Sequence, residues 1–439
     1  MSTTRSVIRR TVAGILPLAI LASAAGCGAD FDSADKVNTL RVFAVQKDPP
    51  YALPTTDLAN PSLVNLTMLW HPGPNHKTSE IQRLWFSGCD DLPGDQYFSC
   101  LVRMFALWKL RDKTVWKDGE VWSPLDTARA IPDDQARLAF EQGLVQQVRP
   151  DLSQDEFESY LNSVRIAAGS TFQYPIPPRI VEYHAPSSDP SIPPYGVSFI
   201  FFTACAGAID LTPAWKNIDL GSGAQLRDAV LGFPFACYDA NGTQLGPDDF
   251  VSGYTEEFVY RDGSTNNNPV ILADENTTAK TEMQFDGKDV NPDAYCIDGA
   301  CVDSQGGSAT PPMVPTAAAC TSDTKKLFPH VPKCSGKCPT YDFKPTLDPD
   351  KNNDDTRFGP PNQPGVPKPE QMWINYYSDK GTLKHTVRLL RDADNGWAPN
   401  PYNSTWTPPS DSGPVNFWTV VHDVRGGTSW IRLVVCVDD

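Results

Sequence analysis

The chain runs to 439 residues, enough for about two or three units that each bury a core of their own. Its 53 acidic side chains outnumber 37 basic ones, a balance that repels phosphate backbones and excludes nucleic acid as a partner. Proline, at 41 residues, is about twice its usual share, which disfavours helical bundles and doubly wound folds and favours short strands joined by irregular loops.

Arg5, Arg9 and Arg10 give a positive start, and residues 12–22 form an apolar run too short for a permanent membrane span. That is the pattern of a secretory signal. Ala24, Ala25 and Gly26 lead directly into Cys27, which resembles the lipobox of bacterial lipoproteins. The resemblance implies removal of residues 1–26 and lipidation of Cys27, a membrane anchor without a spanning helix. Ala24 departs from the lipobox pattern, which places a larger aliphatic there. Gly28 in place of Asp after the cysteine implies sorting to the outer membrane. Residues 27–38 are polar and acidic and read as a flexible tether.

The cysteines number eleven, and an odd thiol in an exported chain needs a use. With Cys27 lipidated, an even set remains: Cys89, Cys100, Cys205, Cys237, Cys296, Cys301, Cys320, Cys334, Cys338 and Cys436. In an oxidising compartment these form disulfides. Short spacings favour Cys89 with Cys100, Cys205 with Cys237 and Cys296 with Cys301. The remaining connectivity stays open.

The first strand is "TLRVFAVQ", ended by Pro49 and Pro50, with "SLVNLTMLWH" and "IQRLWFSGC" following. From residue 94 to residue 170 the period changes to that of a helix. "VWKDGEVW" reads as a small hairpin turning at Asp118 and Gly119, and "PDDQARLAFEQGLVQQV" as a helix. A second helix is expected from Ser153, with Glu156 completing a capping box, an apolar stripe of Phe157, Tyr160, Leu161, Val164 and Ala168, and Gly169 as its stop. Strands resume with "PRIVEYH", "VSFIFFTAC", "VLGFPFACYD" and "FVSGYTEEFVYRD", and the polar "GSTNNNP" marks a boundary. Residues 292–369 are loop-rich and cysteine-rich. "EQMWINYYSDKGTLKHTVRLL" reads as two strands around Lys380 and Gly381, and "VNFWTVVHDVRGGTSWIRLVVCV" as a hairpin around Gly426 and Gly427.

The expected fold is therefore mainly β: two immunoglobulin-like β-sandwich domains, residues 39–268 with a helical insertion at 94–170, and residues 269–439 with a disulfide-rich insertion at 292–369. The last hairpin resembles the closing strands of PKD-like and other immunoglobulin-like modules. The whole arrangement resembles predicted surface lipoproteins of the myxobacterial type. That resemblance is carried by the lipobox, the "DPP" at 48–50, "YGVSFIFFTACAG", "DDFVSGYTEEFVY", the "NNNP" run and the W-x-V-x-x-D-x-R-G-G ending at 418–427. It implies a cell-envelope address and a sandwich fold, and no activity.

Hydrolase signatures and phosphate-binding glycine loops are absent from the sequence. His71 and His76 flank "HPGPNH" and make a poor zinc pair, and His422 with Asp423 reads as strand and turn chemistry. Cys334 and Cys338 read as a disulfide after export. "LDPDKNNDD" places Asp348, Asp350, Asn352 and Asp354 at the alternating spacing of calcium loops, while Gly359 stands where the bidentate Glu of an EF-hand belongs. A structural calcium and a solvated acidic loop both remain open. Aromatics such as Trp85, Trp373 and Trp418 fall in alternating strands and read as core before sugar platforms. The expectation is a non-catalytic binding, adhesion or structural module of the envelope, with envelope proteins or polysaccharide as partners and no cofactor. The alternative is a polysaccharide-processing enzyme using acidic residues of the insertions.

Overall fold

The computed structural model describes residues 35–57, 60–90, 108–109, 116–137, 139, 160–161, 163–183, 193–217, 232–271, 283–290, 295–297, 300–302, 320, 328–352, 355–356, 368–399 and 401–439. Within them the protein is mainly β, arranged in several sheets. No helix among the described residues is long and apolar enough to cross a membrane.

In chain order the first eleven strands are β1 (Arg41–Asp48), β2 (Tyr51–Ala52), β3 (Leu63–His71), β4 (Gln82–Asp90), β5 (Val121–Trp122) and β6 (Ile166–Ala168), then β7 (Thr171–Pro175), β8 (Tyr195–Cys205), β9 (Ala208–Leu211), β10 (Phe235–Tyr238) and β11 (Phe250–Tyr260). They form a three-stranded sheet β1-β3-β7, a six-stranded sheet β2-β11-β8-β4-β6-β5 and a ribbon β10-β9. The central strand β8 is buried at every position after Tyr195. The reason lies in the layering. One face of the six-stranded sheet packs Trp85, Ile200 and Phe202 against Leu66, Trp70 and Phe172 of the three-stranded sheet. The other face packs Phe86, Phe199 and Phe201 under Trp108, Trp215 and the β9–β10 ribbon, which the Cys205–Cys237 disulfide ties to β8. A sheet covered on both sides reads as a continuous apolar run, as "VSFIFFTAC" does.

The remaining strands are β12 (Met283–Phe285), β13 (Lys288–Val290), β14 (Tyr295–Ile297), β15 (Ala300–Val302), β16 (His330–Pro332), β17 (Tyr341–Pro345), β18 (Asp355–Thr356) and β19 (Lys368–Pro369). They continue with β20 (Met372–Ser378), β21 (Thr382–Leu383), β22 (Val387–Asp392), β23 (Gly396–Trp397), β24 (Ser404–Thr407), β25 (Gly413–Asp423) and β26 (Thr428–Asp438). A five-stranded sheet β13-β12-β17-β24-β21 faces a six-stranded sheet β16-β26-β25-β20-β22-β23. Between them lies one core, with Phe343, Tyr376, Trp406 and Phe417 at its centre. Strand β20 alternates buried and half-buried residues along its whole length, the signature of a strand with one face in that core.

Three expectations of secondary structure need correction. Residues 166–168 are the strand β6, paired with Leu84, Trp85 and Phe86, and not the end of a helix. Their apolar side chains are buried on both faces of the sheet, so tertiary burial overrides the helical spacing. Ser153 and Glu156 lie outside the described residues. "PRIVEYH" is not a strand: Ile180–Tyr183 form a single helical turn whose backbone packs on β8 at Gly196, leaving no room there for a Cβ. The segment after Gly381 does not simply return beside β20. Thr382 and Leu383 cross to pair with β24 in the opposite sheet before β22 comes back to β20.

The tether expectation also changes. Asp35 and Val37 are buried, Lys36 bridges Ser378 in parallel, and Val37 N donates to Ser378 O at 3.1 Å while Ser378 N donates to Asp35 O at 3.1 Å. The chain therefore touches the second group of sheets before it enters the first. It takes the position beside β20 beyond the four residues where β22 pairs with that strand.

Trp406 is fully buried, donates from Nε1 to Lys380 O at 2.9 Å and meets Phe417 at 4.9 Å between ring centroids. Trp406→Ala is expected to cost about 3–5 kcal/mol, read as a lowered urea midpoint at unchanged slope.

Candidate functional site

Several stretches that carry the lipoprotein resemblance, the "DPP" at 48–50, the end of "DDFVSGYTEEFVY", the "NNNP" run and the turn at 423–427, meet at the seam between the two groups of sheets, while "YGVSFIFFTACAG" is the central strand β8 and the lipobox lies outside the described residues. The seam is partly apolar: Val37, Leu69, Trp418 and Val420 are buried there with Phe43 and Tyr377 packed against them. Phe43 stacks on Trp418 at 4.9 Å, and His71 meets the same indole edge-on at 4.8 Å. Gly73 N donates to His71 Nδ1 at 3.1 Å. Burial pulls the His71 imidazole down to about 3, so it stays neutral in the folded protein.

Beside this patch lies a polar clasp. Pro49 and Pro50 end β1 and turn the chain into β2, which pairs in parallel with β11. That pairing sets Lys47 beside Glu257, side chains 3 % and 0 % exposed, with Nζ 3.6 Å from Oε2. Ala52 N donates to Glu257 Oε1 at 2.7 Å, and Lys47 Nζ donates to Glu256 O at 2.5 Å. Burial pushes the Glu257 carboxyl up to about 8, against the opposing pull of the Lys47 ammonium.

Across the seam, the turn from β25 to β26 is organised by Asp423. Its Oδ1 accepts from Arg425 N at 2.8 Å and Gly427 N at 2.7 Å. The "NNN" run fastens this turn to β1. Asn266 Nδ2 donates to Asp423 Oδ2 at 3.1 Å, Thr428 N donates to Asn268 Oδ1 at 2.9 Å, and Asn268 Nδ2 donates to Lys47 O at 2.7 Å. Gln46 Nε2 adds a bond to Thr428 O at 2.9 Å. Arg425 reaches the buried Glu370 through Nε at 2.7 Å and a second guanidinium nitrogen at 3.1 Å, the forked geometry in which arginine holds a carboxylate. Burial raises the Asp423 carboxyl, and its backbone donors oppose that rise. At Gly427 a Cβ would run into the Asp423 carboxylate and lie 2.8 Å from Asn267 O, so the second glycine of the ending is required by close approach.

The clasp opens on a cleft of about 620 Å³ lined by Tyr51, Tyr254, Glu256, Phe258, Tyr260 and Arg425. Tyr254 is 44 % exposed and its ring packs on Phe199 and Phe201, while the buried rings of Tyr51 and Tyr260 meet at 5.2 Å with their planes tilted by 49°. Aromatic faces beside carboxylate, amide and guanidinium groups suit a polar ligand with an apolar side, as a sugar ring has.

Other residues singled out from the sequence lie elsewhere. His76 pairs with Asp249 at 2.6 Å, apart from the partners of His71. Strand alternation puts His422 and Asp423 on opposite faces, and His422 stacks on Trp373 at 5.2 Å. Burial lowers the His422 imidazole to about 4. Trp85 and Trp418 are buried, while Trp373 is half-buried.

In the acidic loop, Asp348 Oδ1 accepts from Asp350 N at 2.9 Å. Asn352 is a backbone clamp: its Oδ1 accepts from Val270 N at 2.7 Å and its Nδ2 donates to Val270 O at 3.0 Å. Asp354 lies outside the described residues, and among those residues no group of three or more His, Cys, Asp or Glu could hold a metal ion.

The described disulfides join Cys205 to Cys237, Cys320 to Cys436 and Cys334 to Cys338. Cys89 is also disulfide-bonded. Cys27 and Cys100 lie outside the described residues, and Cys296 and Cys301 face each other in the β14–β15 register. Lys47, Glu257, Asn266, Asn268 and Glu370 were not read as site residues from sequence. Lys47 and Glu257 each stand in a strand beside a second charged residue, Asp48 and Glu256, so a charge within a strand was the signal and did not single them out.

No protein family matches the chain, and no curated protein matches it. Among solved structures, a Salmonella alpha-2-macroglobulin mutant aligns over 90 % of this chain and 16 % of its own length at 9 % identity, with a TM-score of 0.13. This chain thus spans a small part of that protein.

Glu257 holds its proton up to about pH 8 when folded against an ordinary value of 4.5, so its contribution to stability is present below that ordinary value and lost as pH rises through 8. His71 acts oppositely: its contribution is present above its ordinary 6.5 and lost as pH falls towards 3. Urea midpoints should therefore fall off on both sides of about pH 5 to 6.5, and Glu257→Gln should flatten the alkaline limb.

Proposed function

We propose that the protein is a lipoprotein of the bacterial cell envelope, anchored through Cys27 in the outer membrane. In this reading its two immunoglobulin-like β-sandwiches, residues 39–268 and 269–439, act together as a non-catalytic binding module, and the seam cleft receives the ligand. The observation that carries the reading is the seam itself. The side chains of Gln46, Lys47, Glu257, Asn266, Asn268, Glu370, Asp423 and Arg425 are committed to one another or to backbone groups, which fixes the cleft's walls. Such pre-ordering favours recognition because little conformational freedom is left to lose on binding. The ligand class that fits is envelope polysaccharide, stacking on Tyr254 with hydrogen bonds to Glu256 and Arg425.

Two measurements test this. Membrane-extracted protein should start at Cys27 with acyl mass added, and Cys27→Ser should leave the membrane fraction. Binding to immobilised cell-wall glycans should weaken by about tenfold or more in Tyr254→Ala, the loss of one stacking contact. Equal binding by parent and variant would remove the cleft from the proposal.

A further inference from the structure

The three described disulfides differ in a way their burial makes plain. Cys205 and Cys237 are 0 % and 1 % exposed inside the first core, and Cys320 with the fully buried Cys436 closes a span of 116 residues. Cys334 and Cys338 are only four residues apart and half-exposed, and Ser335, Gly336 and Lys337 between them are exposed. The constraint that a cross-link places on the unfolded chain grows with the loop it closes, so this bond contributes least to stability of the three. The flanking chain is also held without it. Lys333 N donates to Asp438 O at 3.1 Å, and Cys334 N donates to Pro409 O at 2.8 Å. The Lys333 ammonium is paired with Asp439 at 3.3 Å, whereas the exposed Lys337 next to Cys338 brings an ammonium group close in sequence, which favours the thiolate form of a released cysteine.

We propose that Cys334–Cys338 is a thiol–disulfide exchange site that reacts with an external dithiol of the oxidoreductase class, while the two buried disulfides are structural. The attacking thiolate bonds to Cys338 Sγ, the Cys334–Cys338 bond breaks, and Cys334 leaves as a thiolate that takes a proton from solvent. The partner's second thiol then displaces Cys338 from the mixed disulfide. The cysteine pair gains two electrons and two protons, and the external dithiol is oxidised to a disulfide. Nothing in this depends on the cleft or on its ligand.

The full-length protein, incubated under native conditions with graded dithiothreitol or a thioredoxin-type protein and quenched with an alkylating agent, gives the test by peptide mass. Cys334 and Cys338 should be alkylated at reductant levels at least about tenfold below those that open Cys205–Cys237 or Cys320–Cys436, with near-ultraviolet dichroism unchanged. Lys337→Glu should slow the opening several-fold at constant reductant, a response that mere accessibility would not give. A Cys334→Ser, Cys338→Ser double variant should fold with the other pairs intact. Opening of all three bonds together, or opening only after loss of the dichroism, would overturn the assignment.

Discussion

Asp423 and the asparagines that reach it hold the molecule together. One carboxylate organises the turn between the two longest strands of the second group of sheets, and Asn266 and Asn268 carry that turn across to β1. An unpaired carboxylate so deeply buried would be strongly destabilising, so each donor around it is necessary and not ornamental. Lys47 and Glu257 are also nearly inaccessible, and each keeps a backbone partner: Lys47 donates to Glu256 O and Glu257 accepts from Ala52 N. The apolar patch around Trp418 supplies burial, and the clasp supplies register. Together they set the walls of the cleft.

The layering explains where the apolar residues had to go. The first six-stranded sheet is covered on both faces, and β1–β3 lie between its core and the seam, so even a short strand such as β1 is half-buried on both sides. The N-terminal segment at 35–37 adds to this by docking on Ser378 before β1 begins.

Much of the strand inventory could be read from the sequence because its causes are local. The alternation of β20 and the Gly426 and Gly427 turn of β25–β26 depend on neighbours within a few residues. The unbroken apolar run of β8 is local in the same sense, although it required a sheet buried on both faces. Features with distant causes were not legible. Ile166–Ala168 carry helical spacing and become a strand because β4 and β5 wait on either side. Asn352 sits in a calcium-like spacing and spends its carboxamide on Val270, a residue 82 positions away. The asparagine run read as a domain boundary because its partners, Lys47 and Asp423, lie 221 and 157 residues from Asn268 and Asn266. Polar residues in loops announce turns locally, and only the fold shows when they are clasps.

The central claim is that the seam makes two groups of sheets behave as one unit. Scanning calorimetry of the full chain beside an Asn266→Ala, Asn268→Ala variant tests it most directly, since coupled units unfold together and uncoupled ones separately. The account predicts one transition in the parent and two in the variant, with each core retained. Two transitions in the parent, unchanged by the substitutions, would contradict it.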